Sequence, residues 1–223
     1  KSFRTSREKE LIKYNEEFLN INLKYKNSSR EGYIKVQIAD KKNVIVNGIK
    51  IKKLSDLLGN INVVLFTPDD INILKNGPAQ RRRFLDMMIG QIRPNYVHNL
   101  NMYLKVLEQR NNYLKQLKST NGNYDLLDIW DEKLAEYANK VCLYRLEFIK
   151  KITDKINEIH SKITENKEEI RVEYLTDCEN KEKLLSLIRE RRTLDIIKGF
   201  TTKGAHRDDF NIYINDNLVN VYG

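Results

Sequence analysis

Cysteine is scarce: Cys142 and Cys178 are the only two in 223 residues. They form no CxxC pair and stand in no metal-ligand spacing, which removes redox-motif and zinc-finger chemistry and leaves two free thiols of a reducing compartment. No apolar run approaches the length of a membrane span, and the first residues lack the layout of a signal peptide. A cytoplasmic chain without membrane attachment is therefore expected. The string G-x-x-x-x-G-K-S/T is also missing. Without it these residues lack the backbone amides and lysine that surround β and γ phosphates. There is no internal repeat and no low-complexity tract. Lys1 stands where an initiator Met would, and the last apolar alternation stops at once, so a piece of a longer chain is expected.

What is present is length enough for one or two domains with a buried core, and an excess of positive charge. Lys and Arg number 40 against 31 Asp and Glu, a net +9 spread along the chain. That favours a polyanionic partner, although charge excess by itself also fits a solvated basic face.

The three prolines act as punctuation. In INVVLFTPDD, Ile61 to Asp70, an apolar run meets two acids, as on the strand that delivers an Asp to Mg²⁺ in a nucleotidase. Thr67 and Pro68 intervene, however. A hydroxyl cap, a proline with no amide hydrogen to lose and two carboxylates against the positive end of the dipole are how a helix begins. Before this point, from Glu17 to Ile51, apolar residues alternate with period two. Asn47-Gly48 sits between two alternations as a tight hairpin turn, which predicts a strand meander.

From Pro78 the period becomes helical. One helix carries Phe84, Leu85, Met88 and Ile92 and should end or bend at Pro94. A second carries Tyr96, Leu100, Tyr103, Leu107 and Leu114. A third runs from Leu126 and Trp130 through Leu134, Tyr137, Val141, Tyr144 and Phe148 to Ile163, about 55 Å if continuous. Its stripe predicts a packing seam, with the turn between the last two helices at Asn121-Gly122. A strand through Val172 and Tyr174, a helix through Leu184 and Ile188, and strands over Thr201 to Tyr222 should follow. Sheet, long helical excursion and sheet again predict an α/β (α+β) fold with a helical insertion.

Several polar groups admit two readings. Arg81, Arg82 and Arg83 fan out at 100° per residue, as salt bridges between segments or as phosphate contacts. Lys1, Arg4, Arg7, Lys9 and Lys13 outnumber Glu8 and Glu10 and offer sequence-blind phosphate contacts. Gln109, Arg110, Asn111 and Asn112 lie mid-helix, where polar groups bridge helices, with DNA contact as the other reading. His206, Arg207, Asp208 and Asp209 are the densest cluster, and together with Asp69 and Asp70 they could form a divalent-metal nuclease site. Successive residues on a strand point to opposite faces, so Asp208 and Asp209 cannot share an ion there without a bulge or turn.

Taken in order, VVLFTPDDINILKNGPAQRRRFLD, YLKVLEQRNNYLK, LDIWDEKLA and KGAHRDD resemble the RecF family of bacterial recombination mediators, in the SMC and ABC-type ATPase group. The opening KSFRTSREKELIKY is similar to the stretch after the phosphate loop in that family. Ala205 departs from the family's usual Pro before His206, which alters backbone stiffness and no ionisable chemistry.

The resemblance implies a partial ABC-type ATPase head with an inserted elongated helical arm. Residues 1–77 would be the first part of the head, 78–165 the arm, and 166–223 the return to the head. It implies a DNA-binding, ATP-dependent mediator of repair, replication and the SOS response, acting on single-stranded, gapped or junction DNA. RecR would be its partner, with RecO and RecA downstream. ATP and Mg²⁺ would serve the full-length protein, an ATP-dependent homodimer and slow DNA-dependent ATPase. No catalytic, cofactor or metal residue is expected in this fragment, which should be inactive alone, its signature motif and acidic strand falling after Gly223. The candidate DNA contacts are Arg4, Arg7, Lys9, Lys13, Arg81 and Arg82. The candidate dimer and ATP-switch residues are His206, Arg207, Asp208 and Asp209. The rival readings are a metal-dependent nuclease using Asp69, Asp70, His206, Asp208 and Asp209, and a purely structural helical interaction module.

Overall fold

The computed structural model describes residues 5, 7–26, 31–52, 54–57, 60–67, 70, 73–119 and 124–219. The chain divides into two compact units, Lys1–Thr67 and Pro68–Gly223. The basic excess is not evenly spread between them, contrary to the expectation. Residues 1–67 hold fourteen Lys and Arg against seven Asp and Glu, which is +7 of the +9.

The first unit is the expected meander. Strands β1 (Leu19–Lys26), β2 (Glu31–Ile38), β3 (Lys42–Val46) and β4 (Ile49–Lys50) form one antiparallel sheet in chain order. Asn47 and Gly48 turn β3 into β4 at φ 49° and 87°, the left-handed pair that a two-residue hairpin matching the strand twist requires. Ile34, Val44 and Val46 form the core on one face, with Tyr25, Val36, Ile51, Leu57 and Ile61 against them. The apolar run after Ile61 forms no strand, and Val64 to Phe66 are exposed. The helix start read at Thr67–Asp70 falls on Pro68 and Asp69, outside the described residues.

In the second unit α1 (Pro78–Ile92) begins with Pro at its first turn and stops at Arg93, whose φ of −133° leaves the helical region just before Pro94. Helix α2 (Pro94–Ser119) starts on that proline, and α3 spans Asp125–Thr164, 40 residues or about 60 Å. The Asn121-Gly122 turn lies outside the described residues. Next come β5 (Ile170–Leu175), α4 (Lys181–Glu190) and α5 (Arg192–Lys198). The chain returns in β6 (Asp209–Ile214) and β7 (Asn217–Leu218), giving a three-stranded antiparallel sheet β5-β6-β7. Asn215 and Asp216, both at positive φ, form the β6-β7 turn. Asn157, near the end of α3, bonds both backbone groups of Ile170 on β5. Its Nδ2 donates to the carbonyl at 2.5 Å, and its Oδ1 accepts from the amide at 2.7 Å.

Two expectations need correction. Thr201 to Asp208 are not strand, because their polar groups bond to side chains on the helices instead of to a ladder. The buried face of α3 is also rotated from the stripe read by apolarity. Leu127, Asp131, Leu134, Ala138, Val141, Arg145 and Ile149 are buried, whereas Leu126 is exposed and Trp130, Tyr137 and Phe148 are only partly covered. Two inner positions of that face, Asp131 and Arg145, carry charges neutralised by other elements, and buried Ala135 and Ala138 are small. A search for large apolar residues therefore selects the neighbouring face.

Candidate functional site

Helix α5 ends at Gly199, whose φ of 72° lets its amide bond back to Asp195 and Ile196 and redirects the chain. The loop that follows, Thr201 to Asp208, is held by side chains from all three long helices. From α2, Arg110 Nη1 donates to Thr201 Oγ1 at 2.8 Å, and Asn111 Oδ1 accepts from the Thr201 amide at 2.8 Å and hydroxyl at 2.7 Å. Asp195 Oδ1 accepts from the Thr202 amide and hydroxyl at 3.0 and 2.7 Å, while its Oδ2 pairs with Arg110 at 2.8 Å. Arg110 and Asn111 thus bridge elements as expected, whereas Gln109 and Asn112 are exposed.

From α3, Arg145 reaches the other end of the loop. Its Nη1 donates to the Ala205 carbonyl at 2.8 Å and to Asp208 Oδ2 at 3.3 Å, and its Nη2 pairs with Asp86 of α1 at 2.7 Å. Nε donates to Tyr96 at 3.0 Å. Asp208 is buried and also accepts from Tyr174 at 2.6 Å and Thr176 at 2.8 Å. Burial pushes its carboxyl above the usual range, against those donors and Arg145.

From α1, Arg82 Nη1 donates to the Asp208 carbonyl at 2.7 Å. Arg81 grips Asp209 with Nε on Oδ1 at 2.7 Å and Nη2 on Oδ2 at 2.8 Å, the two-pronged geometry a guanidinium allows. Burial opposes the charge of Asp209, yet the hydrogen bonds from Arg81 hold its carboxyl below the ordinary value. Asp208 and Asp209 therefore face different partners. Among the described residues no three His, Cys, Asp or Glu side chains are grouped so that they could hold a metal ion.

His206 and Arg207 diverge as well. His206 Nε2 lies 3.0 Å from the Thr201 carbonyl, which can only accept, so Nε2 carries the hydrogen and Nδ1 accepts from the Tyr103 hydroxyl at 2.6 Å. Burial, aided by the cation of Arg207, lowers the imidazole to about 4. Arg207 is exposed, its guanidinium 5.4 Å from the Phe200 ring and 3.4 Å from the Thr201 carbonyl. Of the other candidates, Arg7, Lys9 and Lys13 are exposed, with Lys9 paired to Asp40 at 2.9 Å; Arg4 and Asp69 lie outside the described residues.

No family model matches the chain. Curated relatives do: it is 42% identical over 229 residues to the DNA replication and repair protein RecF of Clostridium perfringens, which covers the whole chain and 63% of the relative. The corresponding protein of Clostridium acetobutylicum is 40% identical over 96% of the chain and 60% of its own length. Two solved structures of the recombination mediator protein RecF in the RecFOR pathway, one described with ATP and one with ATPrS, superpose with TM-scores of 0.92 and 0.90. Both are 34% identical and cover 100% of this chain and 62% of theirs. The chain belongs to the RecF family. It spans less than two thirds of the length of these RecF relatives.

Sequence reading singled out the His206–Asp209 cluster of this RecF-family chain and some of the groups that fix it, Arg82, Arg110 and Asn111, but not the rest. Asp86, Asp131, Arg145, Tyr174 and Asp195 were missed. The signal was a charge at helical spacing among small and apolar residues: Asp131, Leu134, Ala138, Val141, Arg145 and Ile149 recur every three or four positions.

Proposed function

We propose that this chain is the DNA-engaging, switch-carrying part of a recombination mediator in DNA repair that works with ATP in the whole protein. Membership of the RecF family supports the repair role. The RecFOR pathway named for the solved relatives supports RecR and RecO as partners. On this reading the whole protein recognises gapped DNA or single-strand to double-strand junctions with RecR and promotes RecA loading. Two copies associate through their heads when ATP is bound. Residues 1–77 and 166–223 belong to the head and 78–165 to the arm. The chain has no phosphate-loop string, so its own contribution is to present charge at fixed positions.

The observation that carries this reading is the clamping of Thr201–Asp209 from α1, α2 and α3 while Arg207 stays exposed. A cation on a firmly held loop can contact a second copy without further ordering cost. Such a contact shifts a dimerisation equilibrium only if it differs between the separated and closed states. Exposed Arg7, Lys9 and Lys13 support phosphate contact, whereas Arg81 is engaged by Asp209 within the fold.

Analytical ultracentrifugation of the full-length protein with a non-hydrolysable ATP analogue tests this. Arg207→Ala should leave folding intact and weaken nucleotide-dependent dimerisation by about 1–3 kcal/mol. Lysine should rescue only in part, because it lacks the guanidinium fork. An Arg207→Ala protein that dimerises like the wild type would remove Arg207 from the switch. DNA cleavage dependent on added Mg²⁺ would favour the nuclease reading instead.

A further inference from the structure

The β1–β4 sheet has two unlike faces. One side carries Ile34, Val44 and Val46 into the core. The strand register places the alternate positions on the other side: Lys24 opposite Tyr33, Lys26 opposite Glu31, Lys35 opposite Ile45, and Ile45 opposite Lys50. The rest of that face consists of amide side chains. Lys24, Lys35 and Lys50 are exposed, as is Tyr33 at 44%.

An ordinary solvated sheet face mixes charges of both signs, because like charges on neighbouring strands repel. This one does not. Its single acid, Glu31, is held by Lys26 at 2.5 Å. Lys24, Lys35 and Lys50 have no acidic partner among the described residues, and the undescribed residues of 1–67 contain no Asp or Glu. Lys24 and Lys35 lie diagonally across β1 and β2. Lys35 and Lys50 are two strand spacings apart, about 10 Å. An uncompensated cationic row on a polar face, in the unit that holds +7 of the chain's +9 charge, fits a polyanion.

We propose that this polar face docks the sugar-phosphate backbone of duplex DNA, with Lys24, Lys35 and Lys50 on phosphates and the Tyr33 hydroxyl as a further donor. A surface for single strands needs several aromatic rings on which successive bases stack, and this face has one. Phosphate-only contact also requires no particular base, in keeping with a partner recognised by its backbone. The inference rests on the DNA-binding reading above and names the surface that carries it.

Fluorescence anisotropy of a labelled duplex with the full-length protein and a non-hydrolysable ATP analogue across a salt series tests it. The comparison is between the wild type, Lys24→Gln/Lys35→Gln/Lys50→Gln, the matching triple Lys→Arg variant, and Lys105→Gln/Lys118→Gln/Lys150→Gln as an exposed control. Each phosphate contact contributes about 0.9 to the slope of log K against log salt. The sheet variant should therefore lose roughly 2.7 of slope and on the order of tenfold or more in affinity at moderate salt. The Arg variant and the control should keep the wild-type slope.

A wild type that binds with an unchanged sheet variant would remove the face and leave DNA binding standing. Equal losses in the sheet and control variants would reduce the effect to diffuse charge and overturn the proposal. Tighter binding of single strands, lost in the sheet variant, would overturn the duplex assignment. A wild type that binds no DNA would defeat the functional reading itself. Matching thermal melts of all four proteins exclude unfolding as the cause.

Discussion

Arg110 of α2 and Asp131 of α3 are ion-paired at 2.7 Å with neither side chain exposed to solvent. Each has a second partner of opposite sign: Asp195 for Arg110 at 2.8 Å, and Arg192 for Asp131 at 2.7 Å. Removing Arg110 takes a cation from two buried carboxylates at once, Asp131 and Asp195, which outweighs any loss of packing. Arg110→Ala should lower stability by about 3–5 kcal/mol in urea unfolding. Lys151→Ala, which breaks the exposed Lys151–Glu147 pair, should cost less than about 1 kcal/mol.

Leu134 is fully buried on α3, whereas Trp130, one turn earlier, is only partly covered. Leu134→Ala should cost about 2–5 kcal/mol, the range for a large buried aliphatic side chain. Trp130→Ala should cost less than the same change at a fully buried tryptophan. If Trp130→Ala proves the more damaging of the two in thermal melts, the inner face of α3 has been drawn wrongly.

Gly204 has a φ of +129°, and a Cβ there would lie 2.7 Å from the Tyr103 hydroxyl. Ala is strained by both the backbone and the clash, and relief requires Tyr103 to leave His206. Gly204→Ala should destabilise by more than about 1 kcal/mol. It should also move the His206 titration toward that of free histidine, a second readout that a purely local strain would not produce.

The folded imidazole of His206 titrates near 4, against 6.5 for a free one. Between those values the unfolded state binds the extra proton. The contribution of His206 is therefore complete above pH 6.5 and falls as pH drops toward 4, by about 3 kcal/mol. Asp208, raised by burial, works in the opposite direction on acidification. Subtracting the pH dependence of His206→Gln from that of the wild type isolates the histidine. A wild-type histidine signal by NMR that titrates at 6.5 would remove the effect.

The meander and the three long helices were legible because their periods and punctuation agree. Asn47-Gly48 and Pro94 mark a turn and a break that any tertiary context must respect. The loop over Thr201–Asp208 was misread as strand because its partners come from Asn111, Arg145 and Arg82, up to 126 positions away in the chain. No local pattern contains them. The seam of α3 was misplaced for a related reason: Asp131 and Arg145 look like surface residues until Arg110 and Asp208 are set against them. Arg81 and Asp209 were both singled out, but nothing in the sequence joined them.

Strand β5 lies at the border of its sheet, and a border strand offers bare amides and carbonyls to any extended chain that approaches. At Ile170 that offer is already taken. One carboxamide, Asn157 from α3, occupies both groups as a neighbouring strand would. The long helix thus guards its own sheet against self-association at this point. Aspartate there, able to accept but not to donate, would reopen one of the two groups to strangers.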